Sequence, residues 1–323
     1  NFERPENETH QCALYVHGWN VSDNRYQQQS TAMFKRLWLV GFKGRFATIR
    51  WPSNLAGLTT DTPLQVNINA SGFFEIEYRA FKYAAALRQY VDHLSSQAGG
   101  GFTVRIAAHS HGNIMASEAL RQGAVVNRYV MMNAAVSAGC YDERDLLTLL
   151  VPPFPQTEPD QNDPYGGYRQ YFRNLSGLDN FYHLGDKGVQ LWETANDVKQ
   201  NTYRSQQPGA VNYFFEPGLG VMLKKRPDIA TAPQQLPRPA GPPQGNAHES
   251  MSQFAQSWTR PAGLETRTSG AVIAGISLQT FFGNTGTTFD NHSLQFDKPI
   301  QFGGINGMME CYEEILDALF PTP

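Results

Sequence analysis

Short apolar runs alternate with longer segments of helical periodicity along most of this sequence. Apolar runs of about four to eight residues are typical of strands that are buried on both faces of a parallel sheet. Apolar residues that recur every three or four positions are typical of amphipathic helices. The strand signals lie at 12–16, 46–51, 103–108, 125–134 and 178–184, and the helix signals at 23–40, 74–96, 111–120 and 304–319. The alternation predicts right-handed βαβ units, and therefore an α/β fold with a mostly parallel sheet and helices on both faces.

The first two helix signals also predict which side chains are buried. In the first segment, which Ser22 or Asp23 can cap, the inward face consists of Tyr26, Met33, Phe34 and Leu37. In the second segment the inward stripe consists of Tyr78, Phe81, Ala85, Leu87, Tyr90, Val91 and Leu94. We expect both faces to be buried in the core.

The regular alternation ends after Cys140. Residues 141–176 contain a Pro-rich loop and a Tyr-rich segment, and residues 200–286 contain a long run that is dense in Pro and Gly. Such runs oppose regular structure, so we interpret both stretches as insertions that fold over the strand ends as a cap or lid. The predicted organisation is a core at 1–140, an insertion at 141–176, a core strand within 177–199, an insertion at 200–286 and a final core segment at 287–323.

Composition narrows the possible partners. The chain has 323 residues and a net charge of −3, so it offers no basic field for nucleic acid. No run approaches about 18 apolar residues, which argues against an integral membrane segment. The sequence starts at Asn1 with no signal peptide, so we expect a mature, trimmed or fragmentary chain and assign no compartment or oligomeric state. Cys12, Cys140 and Cys311 lack metal-ligand spacing, and we expect buried thiols, at most one disulfide and no metal.

The segment AHSHG, residues 108–112, stands between an apolar run and a helix signal. The pattern is small-x-Ser-x-small, and small residues are needed where a serine lies on a sharp turn from strand to helix. This turn would place the Ser110 hydroxyl at the carboxyl end of the strand. It would also place the His111 N–H at a helix N-terminus, where free donors and the helix dipole favour an anion.

These features resemble the nucleophile elbow of the α/β-hydrolases, with Ala108 in place of the first Gly. In that family the chain order is Ser, then Asp or Glu, then His. The resemblance implies Ser110 as nucleophile, Asp186 as acid just after the strand at 178–184, and His292 as base shortly before the last helix. Asp142 stays open as the alternative acid, because some members of the family use an acid after the preceding strand.

The segment HGWN, residues 17–20, follows the first strand signal. In the α/β-hydrolases an HG-containing loop at this place supplies a backbone N–H to the oxyanion hole. The resemblance therefore implies the N–H groups of Trp19 and His111 as the two donors. Only about ten residues precede the first strand, so we expect the antiparallel strands that usually open this fold to be missing, either because the sheet is minimal or because upstream sequence has been removed.

The resemblance implies a serine hydrolase that cleaves carboxylic esters through an acyl-enzyme and needs no cofactor. The substrate would be a small-molecule or lipid ester, with esterase and lipase activity, phospholipids included, both open. An amidase or acyltransferase with the same three residues is one alternative. A toxin or binding module within a longer protein is another.

Overall fold

The central feature of the fold is a sheet of six parallel strands. The computed structural model describes residues 10–19, 21–54, 70–96, 101–135, 175–183, 186, 188–189, 213–216, 221–224, 273–283, 285–286, 288, 290–297 and 299–321. The sheet has the order β2-β1-β3-β4-β5-β8, and all five neighbouring pairs are parallel. Its strands are β1 (Gln11–Val16), β2 (Arg45–Ile49), β3 (Thr103–His109), β4 (Arg128–Met132), β5 (Gly177–Tyr182) and β8 (Ile273–Ser277).

Two further strands and six helices complete the described elements. The strands β6 (Tyr213–Glu216) and β7 (Val221–Lys224) form a separate antiparallel pair. The helices are α1 (Asp23–Leu39), α2 (Ala70–Ser95), α3 (Gly112–Arg121), α4 (Gln279–Phe282), α5 (Leu294–Asp297) and α6 (Pro299–Leu319), with a 3₁₀ turn at Asp290–His292. Within the residues just given, no helix has both the length and the apolarity to cross a membrane.

The sheet is covered on both faces, as the alternation predicted. Leu14 and Val16 of β1 belong to a core cluster with α2 and α3. Ala13 and Tyr15 of the same strand belong to a second cluster with α1 and α6. Because successive side chains of a strand point to opposite faces, a strand between two helical layers is apolar at most of its positions. This explains why β1 reads as an uninterrupted apolar run.

The buried faces of the helices differ in part from the prediction. In α1, which Ser22 caps by accepting the Arg25 N–H at 3.3 Å, Met33 and Leu37 are buried but Phe34 is 38% exposed. Phe34 lies at the edge of the buried face. Its ring centroid is 5.6 Å from that of Phe46, and this contact covers only part of the ring.

In α2 the fully buried side chains come from small as well as large residues. They are Ala80, Ala84, Leu87, Val91 and Leu94. Ala85 is exposed, contrary to the prediction, and Tyr90 is half-buried. The buried stripe of α2 includes Ala80 and Ala84 because their small side chains allow α2 and α3 to pack closely. Hydrophobicity along the sequence does not indicate such close packing. The side chains of Tyr78 and Phe81 lie outside the described part.

Two predicted boundaries also change. Strand β8 lies inside the range 200–286 that the sequence assigned to an insertion, yet it pairs with β5 and is the sixth strand of the core sheet. Helix α6 begins at Pro299 and is interrupted by a kink at Gly304, which has a φ of 65°. The predicted start near Gly304 therefore coincides with the kink, and the helix extends five residues further towards the N-terminus. Cys12 and Cys311 are buried free thiols, whereas Cys140 lies outside the described residues.

Candidate active site

The turn between β3 and α3 is strained and firmly held. Ser110 follows the last residue of β3 with a φ of 53°, a left-handed conformation that costs a non-glycine residue about 1–3 kcal/mol. Its carbonyl oxygen accepts hydrogen bonds from Asn113 N (3.1 Å), Asn113 Nδ2 (2.9 Å) and Ala135 N (3.3 Å). Its own N–H donates to Met132 O at 3.0 Å. These bonds stabilise a turn that the backbone would otherwise disfavour.

Two glycines allow other segments to approach this turn. A Cβ atom at Gly112 would lie 2.6 Å from Val16 O and 2.7 Å from His17 O. A Cβ atom at Gly18 would lie 2.6 Å from Ser110 Cβ. The end of β1 therefore packs directly on the serine turn, and only a residue without a side chain fits at either position. A parallel sheet in which a strained serine lies between a central strand and the following helix is typical of one fold. The fold is that of an α/β-hydrolase.

In this α/β-hydrolase fold the three side chains proposed from the sequence lie together. His292 Nε2 is 2.9 Å from Ser110 Oγ. His292 Nδ1 is 2.8 Å from Asp186 Oδ2 and 3.1 Å from Asp186 Oδ1. With Nδ1–H donating to the carboxylate, the lone pair of Nε2 faces the serine hydroxyl. This arrangement can accept the hydroxyl proton, although 106 positions separate the acid from the base.

The Asp186 carboxylate is completely buried and well supplied with donors. Besides His292, it accepts hydrogen bonds from Asn133 Nδ2 at 2.7 Å and from Val189 N at 3.0 Å. An isolated parallel bridge between Asp186 and Thr288 places the backbone of Asp186 beside the segment that leads to His292. Asn133 was missed by the sequence reasoning, although a polar residue directly after the apolar run of β4 was a usable signal.

The HG loop is held by the side chain of its own histidine. His17 Nε2 accepts the Trp51 N–H at 3.2 Å, so Nδ1 carries the proton and donates to Gly18 O at 3.0 Å. The rings of His17 and Trp51 are stacked with their centroids 5.5 Å apart. Burial lowers the pKa of His17 to about 4, which keeps the ring neutral. The bond to Gly18 O fixes the peptide that also carries the Trp19 N–H.

Two further histidines flank Ser110 and differ from His292. Burial lowers the pKa of His111 to about 3 and the pKa of His109 well below the ordinary value, with a smaller contribution from His292 in both cases. His111 Nδ1 lies 3.5 Å from Ser110 Oγ, farther than His292 Nε2. His109 Nε2 donates to the backbone oxygen of His292 at 2.5 Å. His292 combines the shorter distance to Ser110 with a carboxylate partner.

The alternative acid and the predicted insertions cannot be compared with the structure in the same way. Asp142, the alternative acid, and most of the two predicted insertions lie outside the described residues. Among the residues that are described, no group of three or more His, Cys, Asp or Glu side chains is placed to hold a metal ion.

Comparisons with known proteins return solved structures alone. No protein-family model matches the chain, and no curated protein does. An esterase from the Planctomycetes species Thermogutta terrifontis, Est2 with butyrate bound, is 9% identical, with 99% of this chain and 90% of that chain covered and a TM-score of 0.40. A Pyrobaculum calidifontis esterase is 12% identical, with 98% and 77% covered and a TM-score of 0.38. The esterase domain of a Rhodothermus marinus protein is 16% identical, with 59% and 73% covered and a TM-score of 0.30.

Proposed function

We propose that this protein is a serine hydrolase that cleaves carboxylic esters, with Ser110, His292 and Asp186 as its catalytic triad. The observation that carries the proposal is the continuous chain of contacts from Ser110 Oγ through both ring nitrogens of His292 to the buried Asp186 carboxylate, at 2.9 and 2.8 Å. A neutral serine hydroxyl is a weak nucleophile and needs an oriented base of this kind. The short contacts support that role without any further movement of the three side chains.

The proposed reaction is acyl transfer in two halves. His292 Nε2 removes the hydroxyl proton while Ser110 Oγ attacks the ester carbonyl carbon, and a tetrahedral oxyanion forms. His292 then gives that proton to the leaving alkoxide as the carbon–oxygen bond breaks, which releases the alcohol and leaves an ester on Ser110. A water molecule, deprotonated by His292, then attacks the acyl carbon. His292 returns that proton to Ser110 Oγ as the bond between this oxygen and the acyl carbon breaks, which releases the acid and restores the serine hydroxyl. Asp186 keeps the proton on Nδ1 and stabilises the imidazolium that forms in each half.

The proposed oxyanion donors are the backbone N–H groups of His111 and Trp19. His111 directly precedes helix α3, where backbone donors and the helix dipole favour a negative charge. A Cβ atom at Gly18 would lie 2.6 Å from Ser110 Cβ, and this close approach supports the N–H of the next residue, Trp19, as the second donor. Loss of one such donor typically lowers kcat by about 10²- to 10³-fold.

Esters are the carboxylic acid derivatives whose cleavage makes the smallest demand on proton transfer at this site. An alkoxide is a better leaving group than the nitrogen anion that an amide would have to expel, so ester cleavage depends less on complete proton transfer from His292 than amide cleavage does. The aromatic residues of the predicted cap are compatible with a lipid ester as well as a small one. We therefore propose an esterase, with lipase, phospholipase, amidase and acyltransferase activities as outcomes that a substrate panel separates.

A labelling experiment and an activity series test the proposal. A fluorophosphonate probe is expected to modify Ser110, and nitrophenyl esters of increasing acyl length are expected to be hydrolysed with one preferred length. Ser110→Ala is expected to lose both reactions while its melting temperature changes by no more than a few degrees, because the substitution removes one hydroxyl. Turnover that survives Ser110→Ala would refute the assignment. A folded wild-type chain that neither reacts nor hydrolyses would support a binding or toxin module instead.

A further inference from the structure

Asn133 occupies an unusual position next to the proposed triad. It directly follows strand β4, is completely buried and has a φ of 46°. Asparagine is one of the few non-glycine residues that tolerate this left-handed conformation. The backbone N–H of Asn133 donates to Phe181 O of β5 at 2.9 Å, which ties its main chain to the neighbouring strand. The side chain thus projects from a fixed point at the carboxyl edge of the sheet.

The side-chain amide of Asn133 joins the acid to the turn that contains the base. Its Nδ2 donates to Asp186 Oδ2 at 2.7 Å and to the backbone oxygen of Asn291 at 3.2 Å. Its Oδ1 accepts the Gln295 Nε2 hydrogen bond at 3.3 Å. Asp186 Oδ2 and Asn291 O can only accept hydrogen bonds, and Gln295 Nε2 can only donate one. The Asn133 amide therefore fits in one orientation, with its nitrogen towards the two oxygens. Both protons of Nδ2 are therefore used within the site.

The turn before helix α5 is held at two successive carbonyl groups. Asn133 holds the oxygen of Asn291, and His109 Nε2 donates to the oxygen of His292 at 2.5 Å. The two donors come from the ends of adjacent strands, β4 and β3, and β3 also leads into Ser110. The main chain that carries the His292 ring is therefore fixed relative to both Ser110 and Asp186.

We propose that Asn133 is a positioning residue of the hydrolytic reaction, an inference that rests on the proposed function. Its amide orients the Asp186 carboxylate and holds the His292 turn at the same time. Misplacing a catalytic group by about 1 Å can lower a rate by about 10²-fold, so an amide that fixes two members of the triad affects turnover more than binding. The Asn133 amide donates to Asp186 and to the turn that contains His292, and it acts through these two residues.

Two variants separate a positioning role from a merely structural one. Asn133→Gly keeps the left-handed backbone and removes the amide; we expect kcat for a nitrophenyl ester to fall by about 10- to 100-fold with KM changed by less than about twofold. Asn133→Asp keeps the shape but places an acceptor against Asp186. We expect a larger loss at neutral pH and a partial recovery of kcat, relative to wild type, at lower pH, where the new carboxyl group is protonated and can donate.

Asn127→Gly is the matched control. Asn127 precedes the opposite end of β4 and accepts a Ser176 hydroxyl hydrogen bond at 3.0 Å, so the variant tests the loss of an asparagine on the same strand far from the site. We expect it to retain the kcat of the wild type. A wild-type kcat in Asn133→Gly, or a change confined to KM or to the melting temperature, would overturn the proposal.

The fluorophosphonate reaction keeps the two proposals distinguishable. If wild type reacts with the probe but hydrolyses no ester, the ester assignment fails, and the labelling rate of Asn133→Gly still tests the positioning role with an expected 10- to 100-fold decrease. If the wild type neither reacts nor hydrolyses, both proposals fail together.

Discussion

Replacing Gly112 by alanine tests the packing on which the whole site depends. The new Cβ would lie 2.6 Å from Val16 O and 2.7 Å from His17 O, both of which are backbone atoms of the sheet and its following loop. The closest ordinary carbon–oxygen contacts are about 3.3 Å, so the start of α3 has to move by roughly 0.6–0.7 Å. That movement would displace His111 N–H and Ser110 from the positions they occupy beside His292.

The expected magnitudes follow from this displacement. Overpacking costs about 1–3 kcal/mol, and the higher helix propensity of alanine returns about 1 kcal/mol. We expect a net loss of up to about 2 kcal/mol, which lowers the melting temperature by up to about 3 °C in a chain of this size. A shift of roughly 0.6–0.7 Å in Ser110 and the His111 N–H is expected to lower kcat by about 10- to 100-fold.

Gly123→Ala provides the matched control at the other end of the same helix. Gly123 has a φ of +93°, and a Cβ added there would meet no atom of the described residues within 4 Å. Alanine at this position therefore introduces backbone strain of about 1–2 kcal/mol without a collision. Thermal denaturation and nitrophenyl ester kinetics of both variants decide the matter. Both variants should melt earlier, and only Gly112→Ala should lose turnover. Equal kcat values for the two variants would refute the reasoning.

Two further predictions concern the acid and the neutral histidines. Asp186→Asn is expected to lower kcat by about 10⁴-fold because the imidazole loses its orienting acceptor, whereas Asp142→Asn should have little effect; the reverse ranking in the same ester assay would transfer the role to Asp142. Burial holds the pKa of His17 at about 4 and that of His111 at about 3, below the 6.5 of an unfolded histidine. The unfolded chain therefore binds more protons, and stability should be complete above about pH 6.5 and decrease by about 3 kcal/mol from His17 alone as the pH falls to 4. Urea denaturation between pH 7.5 and 4 measures this, and a constant midpoint would contradict it.

Local sequence was sufficient for β1 to β5, for α1 to α3 and for the serine turn. Each of these depends on a pattern within about ten neighbouring residues, such as the uninterrupted apolar run of β1 or the small residues around Ser110. Strand β8 was missed because its short apolar run, IAGIS, contains a glycine and follows a long Pro- and Gly-rich stretch. Its partner β5 lies far away in sequence, and the pairing that stabilises it has no local signal.

The sequence by itself predicted an α/β fold with a mostly parallel sheet. Its resemblance to the α/β-hydrolases named Ser110, Asp186 and His292 as candidates in their order along the chain. Tertiary structure alone decided the distances between them, the exposure of Phe34, the choice of Ala84 over Ala85 for the buried face of α2, and the bond from Asn133 to Asp186. The reason is physical. Periodicity and turn chemistry act between residues that are close in the chain, whereas hydrogen bonds and close packing act between atoms that meet only after the sheet has formed.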